Sequence, residues 1–190
     1  MGRFFGIIEI NMTILILHGI GGHAGIHWQK WLQGELSKNG YEVIMPNLPD
    51  PDHPDRGAWL KTVQDVIKNV RSADFVIVAH SLGVVTALDL IEQFKTRALV
   101  SVSGFARDYG AAMNGYFLDE RAVDFDKVNK NLGRAFVVYG DNDPYLPQPE
   151  LKFLADSLKV KPEIISNGGH LNTDAGYATF PRLLEIIQKE

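Results

Sequence analysis

Short apolar runs alternate along the chain with segments in which apolar residues recur at helical spacing. The run over Thr13–Leu17 is continuously apolar after its first residue, as is typical of a strand buried on both faces. Five further runs read as strands on similar grounds. The predicted strands are residues 13–17, 41–45, 75–79, 98–102, 135–139 and 163–165.

Helical patterns lie between these runs. Trp28, Trp31, Leu32 and Leu36 recur at helical spacing in a predicted helix over about 25–38. The other predicted helices cover residues 58–70, 82–94, 149–158 and 177–189. Repeated alternation of strand and helix predicts an α/β fold, with a mostly parallel sheet and helices on both faces. Ligands bind such sheets at the carboxyl ends of the strands, so residues directly after strands are the candidates for chemistry.

Size suits one globular domain, which we assign to residues 12–190 of the 190-residue chain. Residues 1–11 are either a leader upstream of a start at Met12 or an extra edge strand. The well-formed strand that begins directly after Met12 favours the leader.

Charge and cysteine content exclude several classes of function. The net charge of −4, without a basic cluster, gives no sign of nucleic-acid binding. No apolar run approaches the roughly 20 residues that span a bilayer, so no membrane association is expected. The chain has no cysteine, which excludes disulfides, thiolate metal sites and a cysteine nucleophile. Absence of cysteine also fits a cytoplasmic location.

The strand over 75–79 leads directly into the segment 79–83, Ala-His-Ser-Leu-Gly. This is the G-x-S-x-G nucleophile elbow with alanine at its first position, and a helical pattern follows it. The tight turn needs small residues two before and two after the serine. Ser81 is therefore the candidate nucleophile. The amide of Leu82, at a helix N-terminus, is a candidate donor to an oxyanion.

A serine nucleophile needs a base, and the base needs an acid to orient it. The chain order in folds with this elbow is serine, acid, histidine. Asp141 and Asp143 follow the fifth strand, and His170 follows the last. His170 is the candidate base, because it is the one histidine of the C-terminal half and glycines 168–169 let its backbone approach the elbow. Asp143 is the candidate acid, with Asp141 as the alternative, because Asp143 lies farther out, towards the histidine loop.

The first strand ends in the glycine-rich segment 18–22, His-Gly-Ile-Gly-Gly. A glycine-rich loop in this place supplies the second oxyanion donor in folds of this type. The amide of Ile20 is the candidate, with Gly21 as the alternative. His18 is expected to brace the loop by hydrogen bonding.

The remaining polar residues are interpreted as structural. His23 and His27 could share a helix face as a metal pair, but no third ligand accompanies them. A proline-rich loop contains four residues of types that bind metals, and we interpret them as residues that stabilise turns. They are Asp50, Asp52, His53 and Asp55. His80 is expected to pack with its side chain away from the reacting face. Because the sequence has neither a dinucleotide fingerprint nor a phosphate loop, no cofactor and no metal are expected.

Three loop regions are expected to build the pocket, residues 19–27, 46–57 and 104–134. The last region holds four aromatic residues, Phe105, Tyr109, Tyr116 and Phe117. They either form an apolar rim over the serine or pack against the sheet.

Together these motifs resemble the retinoblastoma-binding-protein-9-like (YdeN-like) serine hydrolases of the α/β-hydrolase superfamily. The matching segments are 16–19 (ILHG), 80–83 (HSLG), 143–147 (DPYLP) and 169–172 (GHLN), and the likeness covers nearly the whole chain from Met12. The resemblance implies a single-domain α/β-hydrolase without a large lid, with Ser81 as nucleophile, Asp143 as orienting acid and His170 as base. It also implies a cofactor-independent, carboxylesterase-like hydrolase of small esters or amides. The alternatives are an acyltransferase and a binding protein that keeps the fold without catalysis.

Overall fold

The computed structural model describes residues 12–70, 75–112 and 114–189, so the leader or edge strand expected over 1–11 lies outside these ranges. Six strands of the described residues form one sheet, in which every neighbouring pair is parallel. They are β1 (Thr13–Leu17), β2 (Glu42–Ile44), β3 (Phe75–His80), β4 (Thr96–Val102), β5 (Leu132–Gly140) and β6 (Glu163–Ile165). Their order across the sheet is β2-β1-β3-β4-β5-β6, which confirms the predicted fold class.

Seven α-helices are described. They are α1 (Gln29–Lys38), α2 (Arg56–Val66), α3 (Gly83–Ile91), α4 (Gly115–Asp119), α5 (Phe125–Asn131), α6 (Gln148–Ser157) and α7 (Pro181–Ile187). The prediction that the first helix begins near residue 25 is wrong, because Gly25 and His27 have left-handed backbones, with φ of 89° and 57°. No helix in the described ranges is long and apolar enough to cross a lipid bilayer.

Helices cover the two faces of the sheet as separate sets. Side chains alternate along a strand, so Leu15 and Leu17 of β1 face one core while Ile14 and Ile16 face the other. The first core is closed mainly by α2, α3 and α6, and the second by α1 and α7. Burial on both faces explains why the central strands β1 and β3 are almost continuously apolar.

A buried ion cluster ties α2 to α3 and to the segment after α4. Arg56, the first residue of α2, is 4% exposed and donates to both carboxylate oxygens of Asp89 at 2.7 and 2.8 Å. It also donates to the carbonyls of Phe117 and Arg121. Arg121 in turn contacts Asp89 and Glu92. The cluster therefore fixes the segment around α4, which is continuous with part of the cavity wall described below.

We expect Asp89→Ala to lower the free energy of unfolding by about 3–5 kcal/mol, because the buried Arg56 charge would lose its carboxylate. For a chain of this size the melting temperature should fall by roughly 6–20 °C. Asp65→Ala is the matched control, since it removes a carboxylate that pairs with Lys61 on the exposed side of α2, and it should melt close to wild type. Circular dichroism measures both. Equal losses would show that the buried cluster contributes no more than a surface pair.

Candidate active site

Ser81 lies at a sharp turn between β3 and α3. Its φ of 53° is left-handed, which side-chain-bearing residues rarely adopt, and its N–H donates to the Val102 carbonyl at 3.0 Å. Two glycines permit the close approach of neighbouring segments. A Cβ at Gly19 would lie 2.8 Å from the Ser81 Cβ, and a Cβ at Gly83 would collide with the His18 carbonyl oxygen. This strained, glycine-dependent turn has the geometry of a nucleophile elbow.

The loops after β5 and β6 bring an acid to a histidine. His170 Nδ1 lies 2.7 Å from Asp143 Oδ2, and the Asp143 side chain is fully buried. The other oxygen, Oδ1, accepts the N–H groups of Tyr145 and Leu146 at 2.9 and 3.1 Å, which fixes the carboxylate. Asp141, the alternative acid, instead accepts a backbone N–H within the histidine loop at 2.8 Å. The carboxylate in contact with the histidine is therefore that of Asp143.

Ser81 and His170 line the same cavity, which has a volume of about 500 Å³. All three loop regions expected to build a pocket contribute to it. Its apolar and aromatic walls come from Ile20, Ile26, Tyr109, Ala111, Tyr145 and Leu146. Asp52 is a carboxylate in the lining, and no lysine or arginine of the described residues lines the cavity.

The glycine-rich loop after β1 lies beside the elbow. The Gly21 N–H donates to the Pro51 carbonyl at 2.7 Å, so it is already engaged. Within the described part of the chain, neither the Ile20 nor the Leu82 amide donates a hydrogen bond. A Cβ at Gly19 would lie 3.4 Å from the Leu82 nitrogen, so the loop and the elbow are in close contact. Of the two alternatives in the loop, Ile20 is thus the amide left available.

His18 braces this loop from the end of β1. Its Nδ1–H donates to the Gly19 carbonyl at 2.8 Å, and its Nε2 accepts the Leu48 N–H at 3.0 Å. The ring also meets Trp59 edge-on, with centroids 5.7 Å apart. Burial lowers the pKa of His18 and favours the neutral ring that these two hydrogen bonds require.

The prediction that His80 points away from the reacting face is wrong. The side chain is 3% exposed and lines the cavity, and its ring centroid lies 4.8 Å from that of His170 and 5.5 Å from that of His27. Alternation along β3 places His80 on the same side of the sheet as Val78, and the histidine loop folds over that side. Burial, and then the neighbouring His170, hold the pKa of His80 well below its ordinary value.

Three of the four aromatic residues of the 104–134 region take one of the two expected roles, and Tyr116 takes neither. Phe105 and Phe117 are buried in the core. Tyr109 lines the cavity, and burial raises the pKa of its hydroxyl. Tyr116 is 40% exposed and stacks on His53 outside the cavity, with ring centroids 4.6 Å apart.

The sequence did not single out Tyr145 or Asn114 as residues of the cavity wall. Tyr145 is 56% exposed, and its ring centroid lies 5.0 Å from that of His170. Its position two residues after Asp143 was an available signal. Asn114 is buried and donates to the Tyr109 hydroxyl at 3.3 Å, and no local pattern marked it.

The possible metal pair is not on a helix. His27 lies in the turn before α1, where its Nδ1 accepts the Thr173 N–H at 3.2 Å, and His23 lies in the same loop. Burial lowers the pKa of His27. Among the described residues, no group of three metal-ligating side chains could hold an ion.

A parallel sheet in this order, with a serine elbow after β3, an acid after β5 and a histidine after β6, defines the class of α/β-hydrolases. The family model for "Serine hydrolase" matches residues 14–189, and the chain therefore belongs to the serine hydrolase family. The resemblance inferred from the motifs is thereby confirmed.

Known proteins agree in sequence and in structure. The chain is 25% identical over 182 residues to the YdeN protein of Bacillus subtilis strain 168, covering 94% of this chain and 95% of that protein. It is 26% identical over 174 residues to the serine hydrolase RBBP9 of Rattus norvegicus, covering 88% and 89%. The crystal structure of the ydeN gene product from B. subtilis matches with a TM-score of 0.87 at 24% identity, over 94% of this chain and 98% of that one.

Proposed function

We propose that the chain hydrolyses small carboxylic esters or amides through an acyl-enzyme formed on Ser81. The observation that carries the proposal is the 2.7 Å hydrogen bond between His170 and Asp143, at the wall of the cavity that also contains Ser81. Donation from Nδ1 leaves Nε2 of the neutral ring as a proton acceptor, which is the tautomer that a serine nucleophile requires.

In this mechanism His170 accepts the hydroxyl proton as Ser81 Oγ attacks the carbonyl carbon of the substrate. The amides of Leu82 and Ile20 donate to the oxyanion that forms. His170 then gives the proton to the leaving alcohol or amine, and the acyl group remains as an ester on Ser81. Water, deprotonated by His170, attacks the acyl carbon, the bond between that carbon and Ser81 Oγ breaks, and His170 returns the proton to Oγ as the acid leaves. Asp143 orients the ring and stabilises its charge, and no cofactor takes part.

The size and charge of the cavity support small, uncharged substrates. Its volume of about 500 Å³ suits a small molecule rather than a long acyl chain. An anionic substrate would meet the Asp52 carboxylate without a lysine or arginine in the described lining to pair with it. The cytoplasmic location expected from the cysteine-free sequence stays a prediction.

Labelling with a fluorophosphonate probe tests the proposed nucleophile. We expect one adduct on purified wild type and none on Ser81→Ala when both are read by intact mass, because the probe reacts with an activated serine. A folded wild type without an adduct would contradict the proposal and favour the binding-protein alternative. Turnover with an added alcohol separates hydrolysis from acyl transfer. Preferential formation of the new ester would make the chain an acyltransferase.

A further inference from the structure

The loop that carries His170 has a strained backbone. Asn167, Gly169 and Leu171 have φ angles of 54°, 56° and 50°, all in the left-handed region. Two of these three residues have side chains, which disfavour that region. Contacts from outside the loop must therefore maintain its shape and, with it, the direction of the histidine ring.

Side chains from three other segments hold the backbone before, at and after His170. Asn142 Oδ1 accepts the N–H of the residue before His170 at 2.7 Å. Trp28 Nε1–H donates to the carbonyl of the residue after His170 at 3.0 Å. His80 Nε2–H donates to the carbonyl of His170 itself at 3.0 Å. Of these three contacts, that of His80 acts on the base directly.

His80 is suited to this contact because it stays neutral. Within the described residues, the titratable groups that act on it are His170, His27 and His18, all of them histidines, and burial opposes its protonation further. A neutral ring places one proton on Nε2, where the carbonyl accepts it. It also puts no second positive charge beside His170 when that ring takes up the proton of Ser81.

We propose that His80 is a positioning residue, which aims the His170 ring through the hydrogen bond to its carbonyl and through ring contact at 4.8 Å. The inference rests on the proposed role of His170 as base. Beyond the proposed function, His80, the residue next to the proposed nucleophile, has a role in orienting the base. Because His80 and Ser81 are adjacent, one strand end both presents the nucleophile and aligns the base, so the two groups keep their relative positions when the strand moves.

Two substitutions separate positioning from packing. His80→Phe keeps a planar ring in the site but has no donor. His80→Gln has an amide N–H at a reach similar to that of the histidine Nε2. We expect His80→Phe to lower kcat roughly 10- to 100-fold with little change in KM, because a small misplacement of a catalytic group has effects of this size. His80→Gln should keep most of the wild-type kcat. If His80→Phe does not fold, His80→Leu replaces it.

A spectroscopic readout does not depend on turnover. In a Ser81→Ala background, the far-downfield proton resonance of the His170–Asp143 hydrogen bond should be weakened by His80→Phe and kept by His80→Gln. Val78→Ala is the matched control. It removes buried volume from the same side of the same strand, two residues away, and should lower the melting temperature while leaving both kcat and the resonance unchanged.

The inference is overturned if His80→Phe leaves kcat and the resonance as in wild type. It is also overturned if His80→Gln lowers kcat and weakens the resonance as much as His80→Phe does. These outcomes differ from a failure of the proposed function. That failure would appear as wild-type protein without Ser81-dependent labelling or turnover, and the resonance would still show whether His80 orients His170.

Discussion

Ser81→Ala, His170→Ala and the double variant are expected to lower kcat by about the same factor, roughly 10⁴–10⁶. The two side chains act in a single proton transfer. Without the imidazole the hydroxyl is a poor nucleophile, and without the hydroxyl the imidazole has no proton to accept. Because either replacement alone abolishes this proton transfer, the second replacement should cause no further loss of kcat. Rates with a small chromogenic ester, measured on all three variants, give the comparison.

Ser103→Ala is the matched control for these variants. Ser103 follows β4 as Ser81 follows β3, has a φ of 45° and is fully buried, but it is not part of the cavity lining. Its replacement should leave kcat close to that of wild type. If the losses from the two single variants multiply in the double variant, the serine and the histidine act independently and the proposed mechanism is wrong.

Asp143→Asn is expected to lower kcat by about 10⁴-fold while the protein keeps its fold. The present carboxylate accepts the Nδ1–H of His170 at 2.7 Å. An amide nitrogen in that place would favour the other tautomer, whose Nε2 carries a proton and cannot accept one from Ser81. Steady-state rates, with circular dichroism as a check on folding, measure the effect.

Asp141→Asn distinguishes the two candidate acids. Asp141 accepts a backbone N–H of the histidine loop at 2.8 Å, and the oxygen of an asparagine can still accept it. We therefore expect kcat of this variant to stay near that of wild type. A loss as large as that of Asp143→Asn would transfer the role of the acid to Asp141, or would show that the shape of the loop, rather than the charge, controls the rate.

The central strands β1 and β3 could be predicted from sequence for one physical reason. In β1 and β3 every residue is buried, so each strand appears as an apolar run that has a polar residue only at one end. A polar residue that directly follows such a run can then be recognised in the sequence as a candidate for chemistry. Ser81 was singled out in this way, whereas Asp143 and His170 follow the partly buried β5 and β6 and were singled out by the chain order of serine, acid and histidine. The parallel sheet brings the ends of these strands to one edge.

Other features could not be predicted, because they depend on contacts between distant parts of the chain. The helices α4 and α5, of five and seven residues, are too short to show a period. The Arg56–Asp89 pair joins residues 33 positions apart. The direction of His80 depends on where the histidine loop folds, and that loop is 90 residues away in sequence.

The position of β6 has a consequence for partial unfolding. Within the described residues this strand, of three residues, pairs with β5 alone and lies at the edge of the sheet, with Ile164 54% exposed. Short edge segments with few buried contacts open at lower free energy than central strands do. The proposed base thus follows a strand that opens more easily than β3, which carries the proposed nucleophile, and the contacts of Trp28, His80 and Asn142 with the histidine loop oppose its detachment. Under the proposed function, catalytic competence would depend on the local stability of this edge, and an opened molecule would keep most of its secondary structure without its proposed proton acceptor.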